Sequence, residues 1–248
     1  MYFFSAAVLL KGKVLFAKLF LLVESAIMSI GVAKMLFQKT EEVCKMIINK
    51  YDQQDLFDDF EAFDAQEKEG QEKVKKAREL ASVAHQGQTR DEGTPYFEHV
   101  NRVAQRLIDK NESSHSIVIA YLPDVLEDTN ITYEELKEQF GKYVADGVSV
   151  LTKQKGADVK KYLQNIIEYK SSRIAYIKLF DRIDNISSLA LCPDENKVRK
   201  YIKETKEIFI PVMSSGRQME HHSYIELMNE LEEQLAIVMD NSTTKFSE

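Results

Sequence analysis

From Gln71 to Val238 apolar residues recur at helical spacing rather than in strict alternation. Val100, Val103, Ala104, Leu107 and Ile108 stand at i, i+3, i+4, i+7 and i+8, the pattern of a helix with one apolar face. Ile117-Val118-Ile119-Ala120-Tyr121-Leu122 is apolar on all sides, which predicts a helix buried at the centre of the fold. Thr132-Tyr133-Glu134-Glu135 reads as a capping box, with Thr132 as N-cap and Glu135 reaching back to it, so a helix opens there. Lys155-Gly156-Ala157-Asp158 reads as a surface loop. Further helices are predicted across Val159 to Tyr169, Arg173 to Leu191, Glu195 to Phe209 and Met219 to Val238. Nine Gly and four Pro are too few for the many short strands and turns of a sandwich or barrel, so the fold class is all-α. No internal repeat is evident.

The first 37 residues break the pattern. Met1 to Leu10 carries no charge, and Val14 to Phe37 is apolar apart from Lys18, Glu24, Lys34 and small polar residues. The segment is long enough to span a bilayer. A mid-membrane charge costs roughly 2.5 to 3.5 kcal/mol against a gain of about 0.3 to 0.6 for each large apolar residue, so Glu24 makes insertion marginal. Three readings stay open: a membrane-associated or anchoring helix, an amphipathic helix packed on the domain, and a chain that starts at Met28 or Met35. A cleaved signal peptide fits less well, since the N-terminus is Tyr-Phe-Phe rather than basic and has no A-x-A site. From Asp52 to Glu72 nine carboxylates interleave with Phe57, Phe60 and Phe63, the mark of an amphipathic connector with a solvated acidic face. The expected organisation is a hydrophobic N-terminal helical segment (1–37), an acidic connector (38–70), a helical domain (71–212) and a C-terminal helix and tail (213–248).

Charge and cysteine usage narrow the partners. A net charge of −7 without a Lys/Arg-rich stripe excludes a long nucleic acid and leaves room for a small anionic ligand held by a metal. Cys44 and Cys192 have neither CxxC nor metal-ligand spacing, which argues against a disulfide framework or zinc knuckle and fits a reducing cytoplasm. Nothing in the composition fixes an oligomeric state.

Three separated segments carry polar side chains among apolar neighbours: Arg90 to His99, Asp124 to Asp128, and Asp181 to Asn185. Asp181, Asp184, Asn185 and Ser188 lie at i, i+3, i+4 and i+7, so they share one helix face while Ile177, Phe180 and Ile183 turn elsewhere. Inward carboxylates need a cation or a hydrogen-bond network. One His and two Asp around an apolar centre suggest a divalent metal, Mn²⁺ or Mg²⁺ before Zn²⁺, because Cys donors are lacking. Glu127, three residues after Asp124, is placed to orient or deprotonate a water activated by that metal. The plainer reading, in which Asp181 and Asp184 only cap or pair with Arg90, Arg173 or Arg182, accounts for fewer of these residues.

Four motifs then fall in order: Gln86-Gly87-Gln88-Thr89-Arg90 with Gly93-Thr94-Pro95-Tyr96-Phe97-Glu98-His99; Val125-Leu126-Glu127-Asp128-Thr129-Asn130; Glu135-Leu136 with Phe140-Gly141; and Lys178-Leu179-Phe180-Asp181-Arg182-Ile183-Asp184-Asn185. Over residues 71–210 the chain resembles the HD-domain hydrolases of the RelA/SpoT type. The resemblance implies an HD-domain helical bundle that removes the 3′-pyrophosphate of the alarmone (p)ppGpp with Mn²⁺. It implies His99, Asp124 and Asp181 as metal ligands, Glu127 and Asp128 as the pair that positions the attacking water, and Arg90, Asn185 and Tyr201 as nucleotide contacts. It also implies a stand-alone hydrolase, since the family's synthetase and regulatory regions have no counterpart in this sequence.

The chain departs from the pattern at Pro123, where the family has a metal-binding His, and more mildly at Asp91 and Val100, where a basic residue and a proline are usual. Proline offers a metal no lone pair, and losing even an outer partner costs on the order of 10 to 100-fold in affinity or activity. Mn²⁺ binding is therefore expected to be weakened. Pro123 also removes an N–H and crowds the Ile119 carbonyl, so the helix is expected to kink there. His85, His115, His221 and His222 read as structural or surface histidines rather than as replacements. A catalytically degenerate HD domain that binds a nucleotide or protein partner without turnover is the alternative.

Overall fold

A computed structural model describes the backbone of residues 53–245 and the side chains of 65–240. The hydrophobic segment 1–37, with every expectation attached to it, and residues 38–52 of the acidic connector lie outside the described residues. Among the described residues the fold is all-α, with one two-residue bridge between Thr89 and Pro95 in place of any strand. No helix among them is long and apolar enough to cross a membrane.

Helix α1 spans Gln53–Ala84, and a compact unit runs from Gly70 onward. Within that unit follow α2 (Tyr96–Asp109), α3 (Ser114–Tyr121), the one-turn α4 (Val125–Asp128), α5 (Tyr133–Phe140), α6 (Lys142–Leu151), α7 (Val159–Glu168) and α8 (Ser172–Ser188). After a 3₁₀ turn at Leu189–Leu191 come α9 (Glu195–Glu204), a π-turn (Thr205–Phe209), α10 (Ile210–Ser214), a second 3₁₀ turn (Arg217–Glu220) and α11 (His222–Lys245).

Local chemistry sets most of the boundaries. Ser113 caps α3, the Thr132–Glu135 box opens α5, and the Asp158 and Asp194 carboxylates accept the Lys161 and Lys197 N–H groups that begin α7 and α9. Gly141 ends α5 and starts α6 at φ 89°, a conformation that glycine adopts without steric cost.

Helix α3 is the inner element: Ile117 through Leu122 are all buried, as the unbroken apolar run predicts. Helix α8 packs against α2, α3, α6, α7 and α11, and is buried along most of its circumference. On α2 the buried face carries His99, Val100, Val103, Ala104 and Leu107, with His99 four residues before Val103 and eight before Leu107. The apolar stripe that docks the helix therefore also drives the imidazole inward. Burying each of these Val and Leu side chains contributes roughly 1.5 to 3 kcal/mol.

Several boundaries differ from the sequence reading. Ile108 is 37% exposed and lies outside the α2 face. The helix expected from Glu195 to Phe209 stays α-helical only to Glu204, and the last helix begins at His222 rather than Met219. At Pro123 the helix breaks instead of kinking. A proline disfavours helical backbone in the residue before it, and Leu122 leaves the helix at φ −115°, ψ 15°, its N–H still bonded to the Ile119 carbonyl at 3.1 Å. Helical geometry resumes at Val125.

Candidate functional site

The site grows from α8 and the segments that face it. Asp181, Asp184, Asn185 and Ser188 lie on one α8 face, and the chain brings His99 and Arg102 of α2, and Arg90 of the preceding loop, onto that face. The loop is a tight reversal. The Arg90 N–H bonds to the Thr94 carbonyl and the Gly93 N–H to the Arg90 carbonyl, each at 2.9 Å, with Gly93 at φ 83°.

His99 is 2% exposed and lies between two carboxylates. Nδ1 is 2.7 Å from Asp184 Oδ2 and Nε2 is 3.1 Å from Asp181 Oδ1. Burial alone would lower its pKa, but the hydrogen bonds to Asp181 and Asp184 win and push it up to about 9. Asp184 also takes a fork from Arg102, Nε to Oδ1 at 2.7 Å and Nη2 to Oδ2 at 2.9 Å. Burial works to raise the Asp184 pKa, yet His99 and Arg102 hold it down at about 2.

Asp181 has three donors: His99 Nε2, Asn185 Nδ2 at 2.9 Å on Oδ1, and Lys178 Nζ at 2.8 Å on Oδ2. Against the upward pull of burial, Lys178 and then His99 keep its pKa well below the usual carboxylate range. Asn185 links onward, its Oδ1 accepting from Arg90 Nη2 at 2.9 Å. Arg90 also donates to Ser188 Oγ at 2.7 Å and to Glu92 Oε1 at 2.9 Å.

A second acidic group comes from the broken helix. Asp124 precedes α4, which carries Glu127 and Asp128 on its exposed side. The Tyr96 hydroxyl donates to Asp124 Oδ2 at 2.7 Å, and burial followed by the charges of Asp124, Asp181 and Asp128 raises the Tyr96 pKa. Burial raises the Glu127 pKa, helped by Asp128 and Asp124, and burial and Asp124 raise that of Asp128. The end of α4 is fixed by Thr129 Oγ1 on the Val125 carbonyl at 2.6 Å and by Gln88 Nε2 on the Asp128 carbonyl at 3.4 Å. Gln88 in turn accepts from His85 Nδ1 at 2.8 Å, so His85 is buried and structural.

Tyr201 packs over Arg182, whose guanidinium lies 4.4 Å from the Tyr201 ring and 4.3 Å from that of Phe209 in the π-turn. Burial raises the Tyr201 pKa and the Asp181 charge adds to the rise.

His99, Asp181, Asn185 and Arg90 thus form one continuous network, while Asp124, with Glu127 and Asp128, forms a second group tied to it through Tyr96. The imidazole and carboxylate donors of His99 and Asp181 suit a divalent cation, and the Asp184 carboxylate on Nδ1 is the usual partner of a metal-ligating histidine. The fit extends to that pair only. Among the described residues no group of three or more His, Cys, Asp or Glu side chains is placed to hold a metal. Sequence reasoning missed the roles of Asp184, Arg102, Lys178, Tyr96 and Glu92. Asp184 left a signal in its place on the polar face of α8, and Tyr96 and Lys178 only as members of the quoted motifs.

Residues 77–217 match the HD domain family. The guanosine-3′,5′-bis(diphosphate) 3′-pyrophosphohydrolase of Aquifex aeolicus is 37% identical over 147 residues, 57% of this chain and 21% of that protein. The bifunctional (p)ppGpp synthase/hydrolase SpoT of Escherichia coli K12 is 36% identical over 172 residues, 63% of this chain and 24% of that protein. The chain therefore spans about a fifth to a quarter of the length of these relatives. A solved metazoan ortholog of SpoT, described as hydrolysing ppGpp, superposes with a TM-score of 0.55 at 23% identity, over 65% of this chain and 94% of that one, and shares the fold. HD-domain hydrolases in general depend on a divalent metal.

Proposed function

The chain belongs to the HD domain family, and from that premise we propose that it is a phosphohydrolase of guanosine 3′,5′-bis(diphosphate), in which His99 and Asp181, the pair that fits a divalent cation, would hold the metal and Asp124 would be drawn in from the neighbouring acidic group as a third ligand. The observation that carries this reading is the unbroken chain of hydrogen bonds from Arg90 through Asn185 and Asp181 to His99 and Asp184, which aligns a cationic end with a donor pair. Mn²⁺ is the proposed metal, since the donors are nitrogen and oxygen without thiolate. Such a metal, when bound, supplies Lewis-acid activation of a water at phosphorus.

The remaining steps belong to the chain's own groups. Arg90, its side chain largely withdrawn from solvent and anchored by Glu92, offers its guanidinium to a phosphate group. Asn185 orients that guanidinium, and Tyr201 supplies an aromatic wall. Glu127 accepts the proton of the attacking water at a carboxylate oxygen, a role suited to a pKa raised by burial and by Asp128 and Asp124. Asp128, the next residue on the same one-turn helix, helps to position that water. The ligand is a small nucleotide, and a cytoplasmic placement fits two cysteines that have neither CxxC nor metal-ligand spacing.

The test is bound-metal analysis together with pyrophosphate release from ppGpp at saturating Mn²⁺, in the wild type and in Pro123→His. Release that rises in Pro123→His is the expected result. No release from either protein overturns hydrolysis. Pro123 itself favours a second reading, nucleotide binding without turnover, which predicts calorimetric binding of ppGpp with no release.

A further inference from the structure

His85 follows directly on α1, and its buried ring makes two contacts that lead to the same place. Its Nδ1 bonds to Gln88 Oε1 at 2.8 Å, and the Gln88 amide nitrogen donates at 3.4 Å to the carbonyl of Asp128, the last residue of α4. Its face lies against Tyr96, with ring centres 4.8 Å and planes 36° apart. The Tyr96 hydroxyl in turn donates at 2.7 Å to Asp124, which starts α4. The Tyr96 N–H also bonds to the Gln88 carbonyl at 3.0 Å, so the two paths form one unit. Because the Gln88 amide nitrogen faces Asp128, its oxygen faces the ring and can only accept, which puts the proton on Nδ1. Nε2 is buried and meets no partner among the described residues. A buried nitrogen without a partner works against stability. For packing alone, a carbon ring would serve better in this position.

From this arrangement we propose that His85 is a positioning residue for the acidic turn: it grips Gln88 and Tyr96 together, and through them sets both ends of α4 and the placement of the Asp124, Glu127 and Asp128 carboxylates. A single helical turn does not sustain itself, and three like charges within five residues repel one another. The geometry of α4 is therefore imposed by its surroundings. Thr129 closes the turn on itself through the Val125 carbonyl, and the fully buried Val125 side chain anchors it at one point. One anchor leaves the turn free to rotate, and the bonds from Tyr96 at its start and Gln88 at its end fix that rotation. Gln88 and Tyr96 are themselves only half-buried, so each could turn toward water. The His85 ring, locked in the interior, keeps both of them aimed at α4. This placement stands on contacts alone. Its consequence for catalysis rests on the reading of Glu127 and Asp128 as the groups that position the attacking water.

Local hydrogen exchange separates this role from packing. Exchange of the backbone amides is followed on the full chain in EDTA for the wild type, His85→Phe and His85→Asn, together with melting temperature. The Glu127 and Asp128 N–H groups, both bonded to the Asp124 carbonyl, report on the turn. His85→Phe keeps a ring against Tyr96 and removes the donor to Gln88. It should speed exchange at these amides about tenfold, the size of one hydrogen bond, leave α2 and α8 unchanged, and melt within about 3 °C of the wild type. His85→Asn places an N–H near the position of Nδ1 and should restore protection at Asp128. In ppGpp hydrolysis with Mn²⁺, His85→Phe should lower kcat about tenfold with KM unchanged. A lower melting temperature with the turn as protected as in the wild type marks a packing residue and overturns the proposal. So does faster exchange spread evenly over the fold. If neither variant folds, imidazole ¹⁵N spectra of the wild type decide: a proton on Nδ1 supports the grip on Gln88, and one on Nε2 alone overturns it. Local loosening in a protein whose wild type releases no pyrophosphate upholds the placement of the turn and overturns the hydrolytic reading alone.

Discussion

Replacing Asp184 by Asn removes the charge that fixes His99 from behind while keeping the side chain's shape. In the folded chain the Asp184 carboxyl is held at about 2, against an ordinary value of 3.8. At about 1.4 kcal/mol for each tenfold change in proton affinity, this corresponds to roughly 2 to 3 kcal/mol of folding free energy at neutral pH. The pair is only 8% exposed on the Asp184 side, so screening takes little of it, although Arg102, at 43%, recovers part of its loss by hydration. A depressed carboxyl stabilises above its unfolded value and loses that contribution as pH falls from 3.8 through about 2. His99, raised to about 9 from 6.5, acts with the opposite sign: its contribution is complete below 6.5 and is lost as pH rises through about 9. The metal-free protein is thus most stable between roughly pH 4 and 6.5. Urea unfolding followed by circular dichroism in EDTA, at several pH values across that window and outside it, is the assay. Asp184→Asn should lose about 2 kcal/mol within the window and show shallower slopes on both limbs. A variant within about 0.5 kcal/mol of the wild type inside the window would refute the assignment of this carboxylate as the keystone of the His99 site.

Metal loading should release a proton at neutral pH, because a ligating imidazole must be neutral and His99 titrates near 9. Calorimetry in two buffers of different ionisation enthalpy reads the proton, and apparent affinity should rise about tenfold per pH unit up to that value. Gly147→Ala should lower the melting temperature, since the added Cβ would sit 2.6 Å from Ile119 Cδ1 and 3.0 Å from Ile174 Cδ1. Overpacking of this kind costs about 1 to 3 kcal/mol, against a helix-propensity gain of about 1. Thr132→Ala should cost about 1 kcal/mol in chemical denaturation without changing ppGpp affinity, because it removes the hydroxyl that accepts the Glu135 N–H while leaving the Thr132 N–H bond to the Glu135 carboxylate, in a box that shares no hydrogen bond with the site.

What the sequence disclosed is what a local period can encode. The inward face of α2 and the polar face of α8 follow from spacings of three and four residues, and the chemistry of Arg90, His99, Asp181 and Asn185 sits on those faces. The partners that complete the site are separated by long stretches of chain: His99 and Asp184 by 85 residues, Arg102 and Asp184 by 82, Arg90 and Asn185 by 95. No periodicity pairs them, and only the packing of α2 on α8 does so. Lys178 is a local neighbour of Asp181, yet a lysine at that spacing reads as an ordinary surface pair until burial is known. The π-turn after α9 was equally hidden. It places Phe209 opposite Tyr201 so that the two rings enclose the Arg182 guanidinium, an arrangement that depends on side-chain shape rather than on pattern.

Pro123 shows how a single residue acts on both chemistry and architecture, and how the two can be separated. It ends α3 before the acidic group begins, so Asp124, Glu127 and Asp128 hang from a one-turn helix instead of continuing a rigid central one. That short turn is held by Thr129 and Gln88 at its end and by the Tyr96 hydroxyl at its start. Pro123→His therefore changes two things at once: it adds an imidazole donor and it restores the N–H and backbone freedom that let α3 extend. Pro123→Ala restores only the second. If metal affinity rises in both variants alike, the limit on the site is the placement of Asp124, which the proline sets through the backbone. If it rises in Pro123→His alone, the limit is the missing lone pair. Because a proline in a helix interior costs about 3 kcal/mol, Pro123→Ala should stabilise the chain if α3 extends through the break and leave it near neutral if the break has become the preferred structure. The break is already satisfied by the 3.1 Å bond from the Leu122 N–H to the Ile119 carbonyl and by the buried Leu122 and Val125 side chains on either side. The expected outcome is therefore a change below about 1 kcal/mol, with the gain in metal affinity confined to Pro123→His.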